Sequence, residues 1–299
     1  MDIVGKKYIY FIISLIIIIP GLVSLVLFGF KPAIDFTGGS RVTIQSEEFK
    51  SQNSKDQVIN IAKDNDIEIS AIQPTGVNSY ILRTKPLDQK KNQQLLNALK
   101  KDFPDLKETS YETVGPTVGS ETTADAIKAV LMASVLIVLY IAWSFRKVPK
   151  PASSFRFGIC AVLALLHDVL VLLGVFSIYY FFGVEVDALF VTATLTVIGF
   201  SVHDTIVVFD RIRENLLRNP GESFAKVTND SILQTLGRSI NTSLTVVLVL
   251  FTLLLFGGEN TKWFIVALLV GVISGTYSSI FNAAPLLVVW QDWINKRHK

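Results

Sequence analysis

Six apolar runs, each about 18 residues or longer, constrain this chain more than any other feature in it. A soluble domain of 299 residues does not carry several such runs, so the sequence is read as a polytopic membrane protein. In hydrocarbon the backbone has to satisfy its own N–H and C=O groups, which makes each run a helix. The expected spans are residues 8–30, 126–145, 157–181, 186–209, 239–256 and about 263–290. Hydrophobic residues make up 50% of the chain and the mean hydropathy is +0.46, as six spans require.

The net charge of +3 is too small to argue for a nucleic-acid partner, and its distribution is more informative than its sum. Cys160 is the one cysteine, which excludes an intrachain disulfide and a cysteine-based metal site; inside an apolar run it reads as small core filler. Lys6 and Lys7 precede the first run and no small-residue cleavage site follows, so that run is expected to stay as a span. Pro20-Gly21 within it permits a kink.

After the first span comes Ile34-Asp35-Phe36-Thr37-Gly38-Gly39-Ser40, a turn in which two glycines permit positive φ. Roughly 80 polar residues follow. Residues 41–45 read as a strand and 54–64 as a helix with Val58, Ile59 and Ala62 on one side. Residues 67–73 and 80–84 read as two strands with Gly76 near their turn. A second helix over 88–102 is capped by Asp88 and stopped before Pro104, and 107–114 is the last strand. The order βαββαβ is the split βαβ, ferredoxin-like arrangement, expected as an α+β domain over 36–122 outside the bilayer. It lies between a first helix with its entry turn (1–35) and a five-helix transmembrane domain (123–299). Gly115-Pro116-Thr117-Val118-Gly119 reads equally as a hinge or as a plain connector. In the polar segment 211–238, Pro220-Gly221 splits two short helical pieces, and Phe224, Val227, Ser231 and Leu236 give the second an apolar face suited to the membrane surface. In the last run Gly271-x-x-x-Gly275, with Ser274 and Ser278, offers a close helix contact.

Basic residues in the short loops set the expected orientation. Lys6 and Lys7; Arg146, Lys147, Lys150 and Arg156; Arg211, Arg213, Arg218, Lys226 and Arg238; and Lys296, Arg297 and Lys299 fall on one side. The loop near Glu185 has no Lys or Arg, and the one near Glu259 only Lys262. Both termini are therefore expected in the cytoplasm and the polar domain on the far face. Trp143, Trp290 and Trp293 at one set of ends, with Trp263 at the other, fit interfacial anchors.

The fourth span carries the candidate chemistry. Asp204 lies seven residues before Arg211, on the order of 10 Å inside one membrane face. An ionised carboxylate there costs a few kcal/mol and faces a partner helix or a water-filled path. Thr194, Ser201, Asp204 and Thr205 share one side of the helix, so the acid lies on a polar stripe. Packing glue and proton-linked function are both open from the helix alone. His203 points about 100° away and reads as a packing residue or as a second proton group. His167-Asp168 lies roughly 18 Å into the third span. Arg238 is either an interfacial anchor or a partner reaching in to Asp204. Two membrane acids also raise an aspartyl protease, but GxGD is absent, as are HExxH and a phosphate-binding glycine loop. No cofactor or metal is expected.

The stretches Ile34-Asp-Phe-Thr-Gly-Gly-Ser40, Val114-Gly-Pro-Thr-Val-Gly119, His167-Asp-Val169, Val197-Ile-Gly-Phe-Ser-Val-His-Asp-Thr-Ile-Val-Val-Phe-Asp-Arg-Ile-Arg-Glu-Asn215 and Leu236-Gly-Arg-Ser-Ile-Asn-Thr-Ser243 together resemble the signatures of the SecF family, accessory subunits of the bacterial Sec translocon. The family belongs to the resistance–nodulation–division (RND) superfamily, built from two six-span halves. The resemblance covers nearly the whole chain. It implies that this chain is one half and that a SecD-like subunit supplies the other, in a bacterial inner membrane beside the Sec channel complex. It also implies proton-motive-force-driven completion of the export of unfolded polypeptide, with no enzymatic activity. By the same resemblance Asp204 matches the proton-linked aspartate and Arg238 its basic partner. His203 stands where the family commonly has Asn, and Asp168 carries over no role. A proton-driven half-transporter for another substrate and a non-transporting scaffold of the translocon are the alternatives.

Overall fold

In the computed structural model, residues 1–49, 52–146, 148–149, 152–258 and 261–297 are described. Lys147, Lys150, Glu259 and Lys299 of the loop-charge pattern lie outside them. The chain divides into two compact units: Met1–Phe30, Lys128–Val184 and Leu189–Lys299 form one, and Lys31–Ile127 with Glu185–Ala188 form the other.

The first unit holds the apolar helices. Six are long and apolar enough to cross a membrane. Helix α1 (Lys7–Phe28) runs unbroken through Pro20. Its Gly21 meets Gly174 of α6 (Ser154–Ile178) backbone to backbone; a Cβ on either glycine would lie 2.7 Å from the other's Cα. Small residues allow such an approach in lipid, where helices associate through van der Waals contact rather than through the hydrophobic effect. Helix α6 continues into a 3₁₀ turn, Tyr179–Phe182. Helix α7 spans Ala188–Arg218 and α8 spans Phe224–Phe256.

Helix α8 corrects the expectation of a separate surface helix before a span at 239–256. Ser223 caps its start by accepting from the Lys226 N–H at 3.3 Å, and no proline follows before Phe256, so the helix passes straight through Arg238. The last span runs through α9 (Lys262–Ser278), a π-helical turn (Ser279–Ala283) and α10 (Ala284–Arg297). Pro285 lacks the N–H that an α-helix would aim at Phe281, and the wider turn falls just before it. Gly271 and Gly275 of α9 make the close contact expected of their spacing. Added Cβ atoms would lie 2.1 Å from Val197 Cγ2 and 2.8 Å from Ser201 Cβ of α7. The core of this unit is apolar, with Phe145, Phe157 and Phe209 mutually in contact.

The second unit is the α+β domain. Strands β2 (Gly39–Gln45), β3 (Ile69–Thr75), β4 (Ser79–Thr84) and β5 (Lys107–Val114) form an antiparallel sheet in the order β3-β4-β2-β5. Helices α3 (Gln52–Asp64) and α4 (Gln89–Asp102) complete the split βαβ pattern. Asp88 caps α4 by accepting the Lys91 N–H at 2.7 Å. Val42, Ile44 and Leu82 of the sheet and Val58, Ala62, Leu95 and Leu99 of the helices are fully buried and form the core. The entry turn is a short helix, α2 (Ile34–Thr37), closed by Gly38 at φ 71° and Gly39 at φ 121°.

A two-residue parallel pair in this unit, β1 (Lys31–Pro32) with β6 (Glu185–Val186), carries no sequence signal. A charged cluster holds it: Glu185 pairs with Arg83 of β4, and with Lys31 at 3.6 Å. Burial, with Arg41 nearby, draws the Arg83 guanidinium down to about 10. Asp35 Oδ2 accepts the Ala188 N–H at 2.9 Å, filling one orphan donor at the start of α7.

Helix α5 (Pro116–Ser144) starts about ten residues before the expected second span, with proline at its first position, where a missing N–H costs nothing. Pro116 and Gly119 therefore lie in the first turn of a helix, and Gly115 stands just before it, its carbonyl accepting the Gly119 N–H at 3.0 Å. A Cβ on Gly119 would lie 2.8 Å from Gly38 N and 3.0 Å from Phe36 O, so this turn packs on the entry turn within the same unit.

Candidate functional site

Two carboxylates are buried in the helical unit, and their surroundings differ. Asp168, on α6, is 0% exposed. Its Oδ2 accepts from Ser201 Oγ at 2.5 Å and Ser278 Oγ at 2.7 Å, and its Oδ1 from Ser274 Oγ at 2.9 Å. His167 Nδ1 lies 2.9 Å from Oδ1. With the imidazole proton on Nδ1, four donors from three helices meet on one carboxylate and fill its acceptor sites. His167 stacks on Tyr277, whose hydroxyl donates to Tyr10 O at 2.8 Å.

Asp204, on α7, is 3% exposed. Among the described residues it accepts one hydrogen bond, from Thr276 Oγ1 of α9 at 3.2 Å; the buried Ser239 hydroxyl of α8 faces it without closing a bond. Thr276 is held in turn by Ser243 of α8 at 2.5 Å. One residue further along α7, Thr205 Oγ1 meets Ser279 Oγ at 2.8 Å, and Ser279 also donates to Ser201 O at 3.1 Å.

The polar stripe of α7 thus divides its partners. Ser201 serves Asp168, Thr205 meets the π turn, and Asp204 stands between α8 and α9. Thr194 is buried but bonds back to its own helix at Phe190 O. His203 is exposed, in keeping with its offset from Asp204. Arg238 is exposed on α8, and among the described residues no ion pair joins it to Asp204. Gly115, Pro116 and Gly119 lie in the other unit and take no part in this cluster.

The sequence reading did not foresee the hydroxyl groups as ligands. Ser274 and Ser278 read as small residues for helix packing, and Thr276, Ser243 and Ser279 carried no signal. The i, i+4 spacing of Ser274 and Ser278 places both on one helix face, and that spacing is the clue that was available.

An α-helical half-transporter architecture, with a split βαβ domain between its first two spans and carboxylates buried on spans three and four, defines the class of this protein. The profile of protein export membrane proteins SecD/SecF, C-terminal part, matches residues 94–293, and that of the SecD/SecF GG motif matches 23–48. Protein translocase subunit SecF of Thermobaculum terrenum is 48% identical over 98% of this chain and 94% of its own length. The SecDF subunit of Bacillus subtilis is 33% identical over 97% of this chain, which spans 38% of that longer protein. The crystal structure of SecDF, a translocon-associated membrane protein from Thermus thermophilus, superposes with a TM-score of 0.84 at 31% identity, over 98% of this chain and 39% of that one. The chain belongs to the SecD/SecF family of protein export membrane proteins. Its role is in Sec protein export, and it is a transport role rather than a catalytic one.

Proposed function

We propose that this chain is the SecF-type half of a proton-driven export machine, with Asp204 as its proton-binding group. A SecD-like subunit supplies the second half, as the longer SecDF relatives carry both in one polypeptide. The pair works beside the Sec channel complex in a bacterial plasma membrane, with both termini of this chain cytoplasmic. Its α+β domain handles unfolded polypeptide on the far side.

The contrast between the two acids carries this reading. Asp168 has its lone pairs filled by four donors, whereas among the described residues Asp204 accepts one hydroxyl, with the Ser239 hydroxyl facing it unbonded. A carboxylate that is buried and poorly satisfied gains most from taking a proton. A proton biases an equilibrium only between states that bind it differently, so its uptake is coupled to helix rearrangement. Arg238 supplies the opposing charge in the state where Asp204 is ionised. His203, exposed on the same helix, is an accessory group at most.

The test is export of a secreted protein by membrane vesicles after ATP is exhausted, with and without a proton gradient. Asp204→Asn keeps the size and removes the charge, so the protein assembles while export with a gradient falls to the level seen without one. Retention of full gradient stimulation in that variant defeats the reading.

A further inference from the structure

The polar groups of α7 and α9 interlock on two sides of one contact. Gly275 of α9 lies against Ser201 of α7, a touch that a Cβ would close to 2.8 Å. On one side of it, Ser274 and Ser278 reach Asp168 together with Ser201. On the other, Thr276 donates to Asp204. Neighbouring positions are about 100° apart on a helix, so 274 and 278 share a face while 276 turns away from it. A slip of α9 by one residue would move all three hydroxyls off their acceptors.

We infer that Asp168 is a positioning residue for Asp204: its carboxylate clamps Ser201 of α7 and Ser274 and Ser278 of α9 in the one register that keeps Thr276 on Asp204. The inference rests on the proton-coupling reading above and gives it a further residue. Asp168 never meets the transferred proton. Four donors occupy it, and it reaches Asp204 only through the heights of two helices. Ser278 has a second acceptor within reach, Gly275 O at 3.1 Å, so its hydroxyl can leave the clamp without being orphaned. The charged or titratable groups that bear on Asp204 are Arg238 of α8 and His203 of its own helix; α9 brings the Thr276 hydroxyl.

Two effects of Asp168→Asn oppose each other, and the sign separates them. A direct electrostatic action of the Asp168 charge would make its removal favour ionised Asp204 and lower the pH at which it protonates. Releasing Thr276 takes a hydrogen bond from the ionised form and raises that pH. The infrared carbonyl stretch of protonated Asp204, identified by its loss in Asp204→Asn, is followed against pH in the purified full chain with its SecD-like partner. Asp168→Asn is expected to raise the midpoint by about one unit, and Thr276→Val to raise it by a similar amount. The double variant is expected to show no more than either single one, because both remove the same bond. Ser278→Ala, which keeps every charge and removes one of the clamping hydroxyls, raises the midpoint by a smaller step and serves if Asp168→Asn does not assemble.

A midpoint that falls or stays in Asp168→Asn overturns the inference, as does additivity with Thr276→Val. So does a protein in which Asp204 shows no titration. The infrared signal reads protonation whether or not protonation drives export. Failure of the export test alone therefore strikes the proton-coupling reading and leaves the positioning of Asp204 to this measurement.

Discussion

Asp105 lies at the surface of the α+β domain and ties down a distant turn. It accepts from Ser46 Oγ at 2.5 Å and from the Glu47 N–H at 2.7 Å, and these bonds hold its carboxyl below the usual range. A carboxylate whose folded value is depressed stabilises above its unfolded pKa, and that contribution is lost as pH falls through the folded value. The segment Lys31–Ile127 carries this sheet and its core, and as an excised fragment it is expected to unfold cooperatively in urea. In Asp105→Asn its urea midpoint should drop at pH 7, and the gap from the unsubstituted fragment should narrow toward pH 3. A gap that persists unchanged in acid would show that the carboxylate charge contributes nothing. Single side chains of this kind were only partly legible in the sequence. Asp88 announced itself as a cap because it stands just before a periodic segment, and Asp204 because an acid in an apolar run has no ordinary explanation. The serines around Asp168 did not, since a serine in a membrane helix reads equally as a small packing residue until the facing helix is known.

Among the elements, the crossing of α1 and α6 is the most exacting. Gly21 and Gly174 touch through backbone, which cannot move aside as a side chain can. Gly174→Ala is expected to lower stability by about 2 kcal/mol, the usual cost of overpacking a tight site. Gly199→Ala, on α7 with nothing within 4 Å of the added methyl, should be neutral or slightly stabilising. Thermal unfolding of the detergent-solubilised protein compares the two, and equal behaviour would remove the argument. The length of the apolar runs placed the six spans, and periodicity placed both helices and all four main strands of the domain. Pattern misled where charge interrupted an apolar run. The stretch before Ser239 reads as loop and surface helix because Arg238 follows it, yet the backbone needs only the absence of a breaker to continue, and α8 runs from Phe224 to Phe256. The pairing of β1 with β6 lay beyond reach, because two residues are too few to show alternation.

For the whole molecule, the proposed orientation, with both termini in the cytoplasm, rests on the basic-loop asymmetry and is open to a direct test. Single cysteines at Asn78, in the β3–β4 turn, and at Asn219, between α7 and α8, in a Cys160→Ser background, should react from opposite sides of the membrane. An impermeant thiol reagent added to intact cells is expected to reach position 78 and to spare position 219; labelling of both would reverse the assignment. The register of the sheet bears on a different matter. Gly39 pairs with Val114, so the first residue of the sheet and its last stand opposite each other on neighbouring antiparallel strands, about 5 Å apart. A domain whose two ends meet in this way imposes almost no separation on the chain that enters and leaves it. Residues added or removed between those ends leave the distance between them unchanged so long as the pairing holds. The segment from Gly39 to Val114 is in that sense a cassette, whose length can change without moving the points at which the chain enters and leaves the sheet.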